Sequence, residues 1–181
     1  MLNIKSVYGF RLVISVITIV FLLPTILFAF QNEPVGFRGI RWGTHIEELL
    51  DMVPAYGIKT DIEENVADCK FYTKKNDNMK IGDSDINKIA YGFYKGRFYN
   101  VRIFVNNLEN YSSIKQTIFQ LYGNADRKVT GFEIYSWFGS NVDVRLSYSD
   151  LFGEGSAKVD YTYKPINEEM RVNSIKGSGD F

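Results

Sequence analysis

The sequence predicts an α+β domain in which an antiparallel sheet of about six strands carries two helices on one face. Aromatic residues make up 15% of the chain, with 12 Tyr and 14 Phe, and both residue types favour the pleated, half-buried surface of a sheet. Several short segments alternate apolar and polar residues, whereas two others have the apolar spacing of a helix. A sheet with one apolar face needs a covering layer, which the two helices supply.

The N-terminal segment predicts export. Residues 12–30 contain no charge and follow the cations Lys5 and Arg11, which is the arrangement of a signal peptide. Ala29 is a candidate small residue before a cleavage site, but the run of 19 uncharged residues is also close to the length of a membrane-spanning helix. Two alternatives therefore remain for residues 1–29, a cleaved signal peptide and an N-terminal membrane anchor. In both, the preceding positive charges predict a chain that is periplasmic or anchored to the inner membrane facing outward.

The composition of the remaining chain limits its partners. It is long enough for one domain with a hydrophobic core. The 21 basic residues of the chain balance the 21 acidic ones, and no long run of one sign occurs, so a nucleic acid partner is disfavoured. Cys69 is the only cysteine, which excludes an internal disulfide, and its place beside Phe71 in an expected strand favours a buried thiol.

The first elements are a tether and a helix. Residues 30–39 are predicted to form a short polar tether after the export segment. Thr44 and Glu47 have the spacing of a capping box, which predicts a helix over residues 45–53 that ends before Pro54. Its apolar face has the spacing i, i+3, i+4, i+7 and consists of Ile46, Leu49, Leu50 and Val53.

Three strands are predicted next. A weaker strand covers residues 69–74. A hairpin then alternates apolar residues over 89–93 and 99–105, around a two-residue turn at Lys95 and Gly96. The residues of its return strand that we expect to face the helices are Tyr99, Val101, Ile103 and Val105.

A second helix is predicted over residues 111–122. Ser113 and Gln116 offer a capping box at its start, and Gly123 is a natural stop at its end. Its apolar stripe consists of Ile114, Ile118 and Leu121.

Three more strands complete the domain. A hairpin pairs residues 134–138 with 142–148, and a last strand covers 159–163. The repeated order of one helix and three strands suggests a tandem αβββ duplication within a single domain of residues 40–165. Residues 166–181 are polar and are predicted to form a frayed tail.

Three short motifs carry a resemblance to a known group of proteins. They are Trp42-Gly43-Thr44 before the first helix, Phe93-Tyr94-Lys95-Gly96 in the hairpin, and Tyr122-Gly123 at the end of the second helix. Together they resemble small exported bacterial proteins of unknown function, over residues 40–165, and imply no activity. The tandem arrangement is also similar to the β-lactamase inhibitor protein and to the outer-membrane assembly lipoprotein fold, which bind other proteins. This likeness concerns the fold and does not decide the function.

The sequence offers no catalytic or metal-binding pattern, so we predict no enzyme activity, no metal and no cofactor. His45 is the only histidine, and no His/Cys zinc site can be assembled around it. Residues 83–87 begin like a calcium loop, but Lys88 and Tyr94 stand where that loop needs Gly and Glu. The chain contains no Gly-x-Ser-x-Gly elbow.

An aromatic contact surface is the candidate functional feature. Four aromatic residues are predicted on the open face of the sheet, opposite the helices: Phe98, Phe104, Tyr135 and Trp137. The prediction assumes that Ile134 and Phe138 lie in the core. The alternatives are that the four merely stabilise the sheet by cross-strand packing, or that the sheet curls and buries both faces. We expect an exported, non-enzymatic module that binds a protein or an envelope component through this surface. The alternative function is a small-ligand carrier with a pocket between helices and sheet.

Overall fold

The computed structural model describes residues 30, 32–55, 58, 68–129, 132–150 and 155–177, and the predicted export segment of residues 1–29 lies outside them. In chain order the strands are β1 (Gly36–Phe37), β2 (Ile40–Arg41), β3 (Met52–Pro54), β4 (Cys69–Lys74), β5 (Lys80–Ile81), β6 (Ser84–Asp85), β7 (Lys88–Tyr94), β8 (Arg97–Asn106), β9 (Arg127–Lys128), β10 (Glu133–Phe138), β11 (Val142–Ser149) and β12 (Ser156–Tyr163). The helices are α1 (Leu108–Tyr122) and α2 (Lys164–Gly177).

Eight of these strands form one antiparallel sheet in the order β3-β4-β7-β8-β12-β11-β10-β9. The α+β class is thus confirmed, with eight strands in the main sheet instead of about six, because short strands β3 and β9 are added at the two edges. Each predicted set of three strands is contiguous in the sheet, and the last strands of the two sets, β8 and β12, pair at its centre. A duplicated origin of the two sets stays a prediction.

The first predicted helix, over residues 45–53, is wrong. Ile46–Glu48 form a single 3-10 turn, and the chain then enters β3, whose hydrogen bonds to β4 replace the predicted helical ones. The capping box is also shifted by one residue, because His45 accepts from the Glu47 N–H and Glu48 accepts from the His45 N–H at 3.0 Å. Pairing with the sheet therefore overrides a local helical pattern.

The predicted tether of residues 30–39 packs on the domain instead. The Phe30 ring lies 5.1 Å from the Tyr122 ring, and β1 pairs with β2. The Glu33 carboxylate accepts hydrogen bonds from three successive backbone N–H groups in the turn between β10 and β11, those of Ser140, Asn141 and Val142. Hydrogen bonds to a charged acceptor are strong ones, so this segment belongs to the domain.

Helix α1 covers one face of the sheet, which we call the inner face. Its Ile114 and Ile118 are fully buried in the main hydrophobic cluster, as predicted. The third predicted stripe residue, Leu121, is exposed, and Tyr122 is buried in its place. The helix also begins earlier than predicted, because Asn107 caps it by accepting from the Asn110 N–H at 2.9 Å.

Helix α2 corrects the prediction of a polar tail over residues 166–181. Its Ile166 and Met170 are buried against Tyr94 and Tyr99 in a second, smaller cluster. This cluster lies on the outer face, the side of the sheet opposite α1, because Tyr94 alternates with the inner residue Phe93. The two helices therefore pack on opposite faces. The prediction of two helices on one face is wrong, because the helix over residues 45–53 does not form and the second helix is α2, on the other face.

Candidate functional site

A groove at the ends of four neighbouring strands is the candidate concave site. It has a volume of about 680 Å³ and is lined by residues of β8, β10, β11 and β12 and the segments beside them. None of its lining residues belongs to a helix, so it differs from the pocket predicted between helices and sheet. Its larger apolar lining residues are Phe104, Phe132, Ile134 and Tyr148.

The predicted contact surface is wrong for three of its four residues. Phe98 and Trp137 are completely buried, and Tyr135 is 6% exposed. Only Phe104 lies partly exposed on the outer face, where it also lines the groove.

The error in β10 concerns which face each residue occupies. Tyr135 pairs with Leu146 and Trp137 pairs with Val144. Residues that pair in an antiparallel sheet share a face, and the two β11 residues are fully buried in the core. The pairing thus places Tyr135 and Trp137 inside, and the core positions expected for Ile134 and Phe138 are wrong.

The error in β8 comes from a β-bulge. Gly92 pairs with Asn100 but Phe93 pairs with Phe98, which leaves Tyr99 as the extra residue. Phe98 therefore shares the inner face with Phe93, and Tyr99 packs with α2 on the outer face. Strict alternation along the strand could not have revealed this shift.

A different set of apolar residues occupies the outer face. Phe132 is 65% exposed, Phe138 is 46% exposed, and Ile134 is partly exposed. Ile134, Ser136 and Phe138 occupy every second position of β10, and Phe132 directly precedes the strand. We call these four residues the β10 strip. The inward positions of Val144 and Leu146 were a usable signal, because their pairing partners must also point inward.

Two exposed arginines flank this strip. Arg127 of β9 and Arg145 of β11 both pair with Ser136, from opposite sides. We call them the arginine pair. The Arg127 guanidinium lies 5.8 Å from the centre of the Phe138 ring. Within the described residues, no carboxylate forms an ion pair with either arginine.

The nearest cross-strand carboxylate has other partners. Asp160 lies opposite Arg145 in the sheet. Its oxygens contact Arg102 Nε at 3.4 Å and Lys158 Nζ at 3.1 Å. Arg145 thus remains available on the open part of the outer face.

A cluster of titratable groups joins α1 to the start of β10. Glu133 Oε2 accepts hydrogen bonds from Tyr111 (2.6 Å), Lys115 (2.8 Å) and Tyr135 (2.8 Å). The hydrogen bond from Lys115, followed by those from the two tyrosines, lowers the pKa of Glu133 to about 2. Burial and the hydrogen bond to Glu133 raise the pKa of Tyr111. These shifts hold each group in one protonation state near neutral pH, as expected of a structural cross-link.

The remaining sequence candidates have local structural partners. His45 caps the 3-10 turn. In the calcium-like segment, the buried Ser84 donates to the Asn110 carbonyl at 2.9 Å, which ties the segment to α1. Cys69 is only partly buried, and its Sγ lies 3.2 Å from the Tyr99 hydroxyl. In the described part of the chain, no group of three His, Cys, Asp or Glu residues could hold a metal ion.

No protein-family model, curated protein or solved structure matches this chain. Among the residues that the structure describes, no helix has the length and apolar character needed to cross a membrane.

Proposed function

We propose that this chain is an exported, non-enzymatic binding module that contacts a protein or another envelope component through the outer face of its sheet. The observation that carries the proposal is the β10 strip, where Phe132 and Phe138 expose large apolar side chains and Phe132 also lines the groove. Exposed aromatic area grouped on one surface is typical of contact sites.

The short edge strands of the sheet favour its outer face, and not its edges, as the contact region. The edge strand β9 has two residues, and the other edge strand, β3, has three and ends in Pro54. Beside β9, the Phe138 N–H donates to the Asp126 carboxylate at 2.6 Å. Short edges with occupied donors are poor templates for an added strand.

The titratable groups support a binding role over a catalytic one. Near the groove, Glu133 and Lys115, whose pKa values are both shifted, hydrogen-bond to each other at 2.8 Å. A catalytic acid or base at neutral pH needs a pKa near 7, whereas the pKa of Glu133 is about 2.

Capture from solubilised native envelope tests the contact surface. The full chain should retain a stoichiometric partner, and Ile134→Asp with Phe132→Ser should lose it. Leu108→Ser is the matched control, because Leu108 is also an exposed apolar residue but lies on α1, away from the strip. Equal capture by the double variant and the control would contradict the proposal.

Export has its own test. A reporter fused to the C-terminus should be active only outside the cytoplasm, and a reporter that stays cytosolic would refute export. The intact mass then distinguishes the two alternatives, because a cleaved chain lacks residues 1–29 and an anchored one retains them.

The groove favours a small-ligand carrier as a second candidate. Its volume of about 680 Å³ falls within the range of small-molecule pockets, about 300–1,000 Å³. Native mass spectrometry of the purified chain should then detect a bound small molecule that Ile134→Trp, which fills the groove, displaces. A bare protein mass in both samples would remove this candidate.

A further inference from the structure

The residues around Ser136 form a cross on the outer face. Along β10, Ile134 and Phe138 lie two positions before and after it, at about 7 Å. Across the sheet, Arg127 and Arg145 are its direct pairing partners, at about 5 Å. Two cations and two apolar side chains thus surround one small hydroxyl residue.

The acidic side chains near this cross have partners other than the arginine pair. Asp126 accepts the hydrogen bond from the Phe138 N–H. Asp143 faces outward two positions before Arg145 in β11. Its carboxylate lies 3.9 Å from Lys164 Nζ. Asp160 has the two basic partners described above. Of these three carboxylates, Asp126 is the one without a cationic partner among the described residues, so the two cations of the arginine pair outnumber it, although the whole chain is neutral.

We propose that the outer face binds an acidic segment of a partner protein, with one carboxylate over Ser136 between the arginine pair and apolar side chains on Ile134 and Phe138. The inference rests on the proposed binding function and names the chemistry of the partner. Arginine donates paired hydrogen bonds that match a carboxylate, and two arginines on opposite sides of Ser136 can both reach it. The apolar residues on either side exclude water from those bonds.

The shape of the surface favours a peptide segment over a lipid bilayer. One end of the strip, at Phe132 and Ile134, lines a concave groove, and a groove can receive a chain segment, whereas a bilayer surface cannot enter it. The strand part of the strip, from Ile134 to Phe138, is also about 13 Å long, which suits a segment of several residues.

Peptide selection tests the proposed chemistry. The probe is a random 12-residue peptide library displayed on phage, selected against the full chain in mild detergent. Wild type should enrich sequences with an acidic residue between two apolar ones. The double variant Arg127→Glu/Arg145→Glu should enrich sequences with Lys or Arg at the central position. Arg171→Glu, a charge reversal at an exposed residue of α2, should keep the wild-type preference.

Affinity measurements sharpen the result. A labelled peptide from the wild-type selection should bind about tenfold more weakly when its central carboxylate is replaced by the amide, because a hydrogen bond to a charged group is lost. Arg127→Glu/Arg145→Glu should cause at least a similar loss, and added salt should weaken binding to wild type. Binding of phosphatidylglycerol vesicles is measured in parallel to test for a lipid partner. Binding of inorganic phosphate tests for a free anion.

The outcomes distinguish a failure of this inference from a failure of the proposed binding function on which it rests. If Ile134→Asp abolishes peptide binding but the charge reversal leaves the preference unchanged, the contact surface stands and the acidic partner is refuted. If neither variant alters binding, both proposals fail. If vesicles or phosphate bind through the arginine pair and peptides do not, the outer face is an anion or lipid site and the inference is wrong.

Discussion

The two hairpins of the main sheet differ in how many of their faces are covered. In β7 and β8, residues near the turn are buried on both sides, because α1 and the N-terminal segment pack on the inner face and α2 packs on the outer face. In β10 and β11 burial alternates, with Trp137 and Val144 inside and Phe138 and Arg145 outside. A surface that can bind a partner thus remains on the second hairpin.

The difference shows what a period-two pattern can and cannot reveal. Both hairpins alternate in sequence, but near its turn the first does not alternate in burial. There, the bulge at Tyr99 and the cover supplied by α2 bury residues on both faces. Four predictions test this contrast, from the largest expected effect to the smallest.

Neighbouring residues of β10 should differ sharply in their contribution to stability. Trp137→Ala should lower the free energy of unfolding by about 3–5 kcal/mol, because it empties a buried site where the Trp137 Nε1–H donates to the Gly123 carbonyl at 3.1 Å. Phe138→Ala should cost under about 1 kcal/mol. Urea unfolding followed by circular dichroism measures both, and similar losses would contradict the assignment of faces.

Helix α2, which covers the outer face of the first hairpin, should contribute less to the free energy of unfolding than the main core does. Ile166→Ala removes contacts with Tyr94 and Tyr99 and should cost about 2 kcal/mol. Val172→Ala on the exposed side of α2 is the control and should leave the free energy of unfolding nearly unchanged. If Ile166→Ala is as mild as the control, α2 does not stabilise the outer face.

The turn of the first hairpin needs glycine for two reasons. Lys95 and Gly96 have φ of +49° and +76°, as in a type I′ turn, and a Cβ on Gly96 would lie 2.3 Å from His45 Nε2. Gly96→Ala should therefore cost about 1–2 kcal/mol. In a double-mutant cycle, His45→Ala should reduce that cost by removing the clash, and strictly additive effects would refute the close approach.

The second hairpin should show a small dependence of stability on acid. The folded pKa of Glu133, about 2, lies below its ordinary value of 4.5. Its contribution to stability is therefore present above pH 4.5 and is lost as the pH falls toward 2. Because 42% of the side chain is exposed, solvent screening keeps the effect small. Glu133→Gln should flatten unfolding free energy against pH in this window, and an unchanged profile would contradict the cross-link.

Local patterns predicted the elements of the sheet well. Alternation and turn residues predicted the two hairpins and the last strand, and the stop at Gly123 predicted the end of α1. Each of these signals involves residues only a few positions apart. The helix over residues 45–53 failed because strand pairing with β4, distant in sequence, competes for the same backbone groups. The α2 helix was missed because its two buried residues, Ile166 and Met170, are isolated in a polar sequence.

The candidate site was harder to predict than the fold. A shift of one residue exchanges the two faces of a strand, so choosing Ile134 over Tyr135 for the core reversed every side chain of β10. The arginine pair could not be found locally, because Arg127 and Arg145 meet only through their common partner Ser136.

By itself, the sequence determined which segments extend, where they turn and that they form an antiparallel sheet, because those choices depend on side chains within a few residues of each other. The tertiary structure alone decided which face of each strand became the interior, that α2 covers the face opposite α1, and that two arginines flank the β10 strip. Those outcomes depend on pairing and packing between residues far apart in the chain, which no local period encodes.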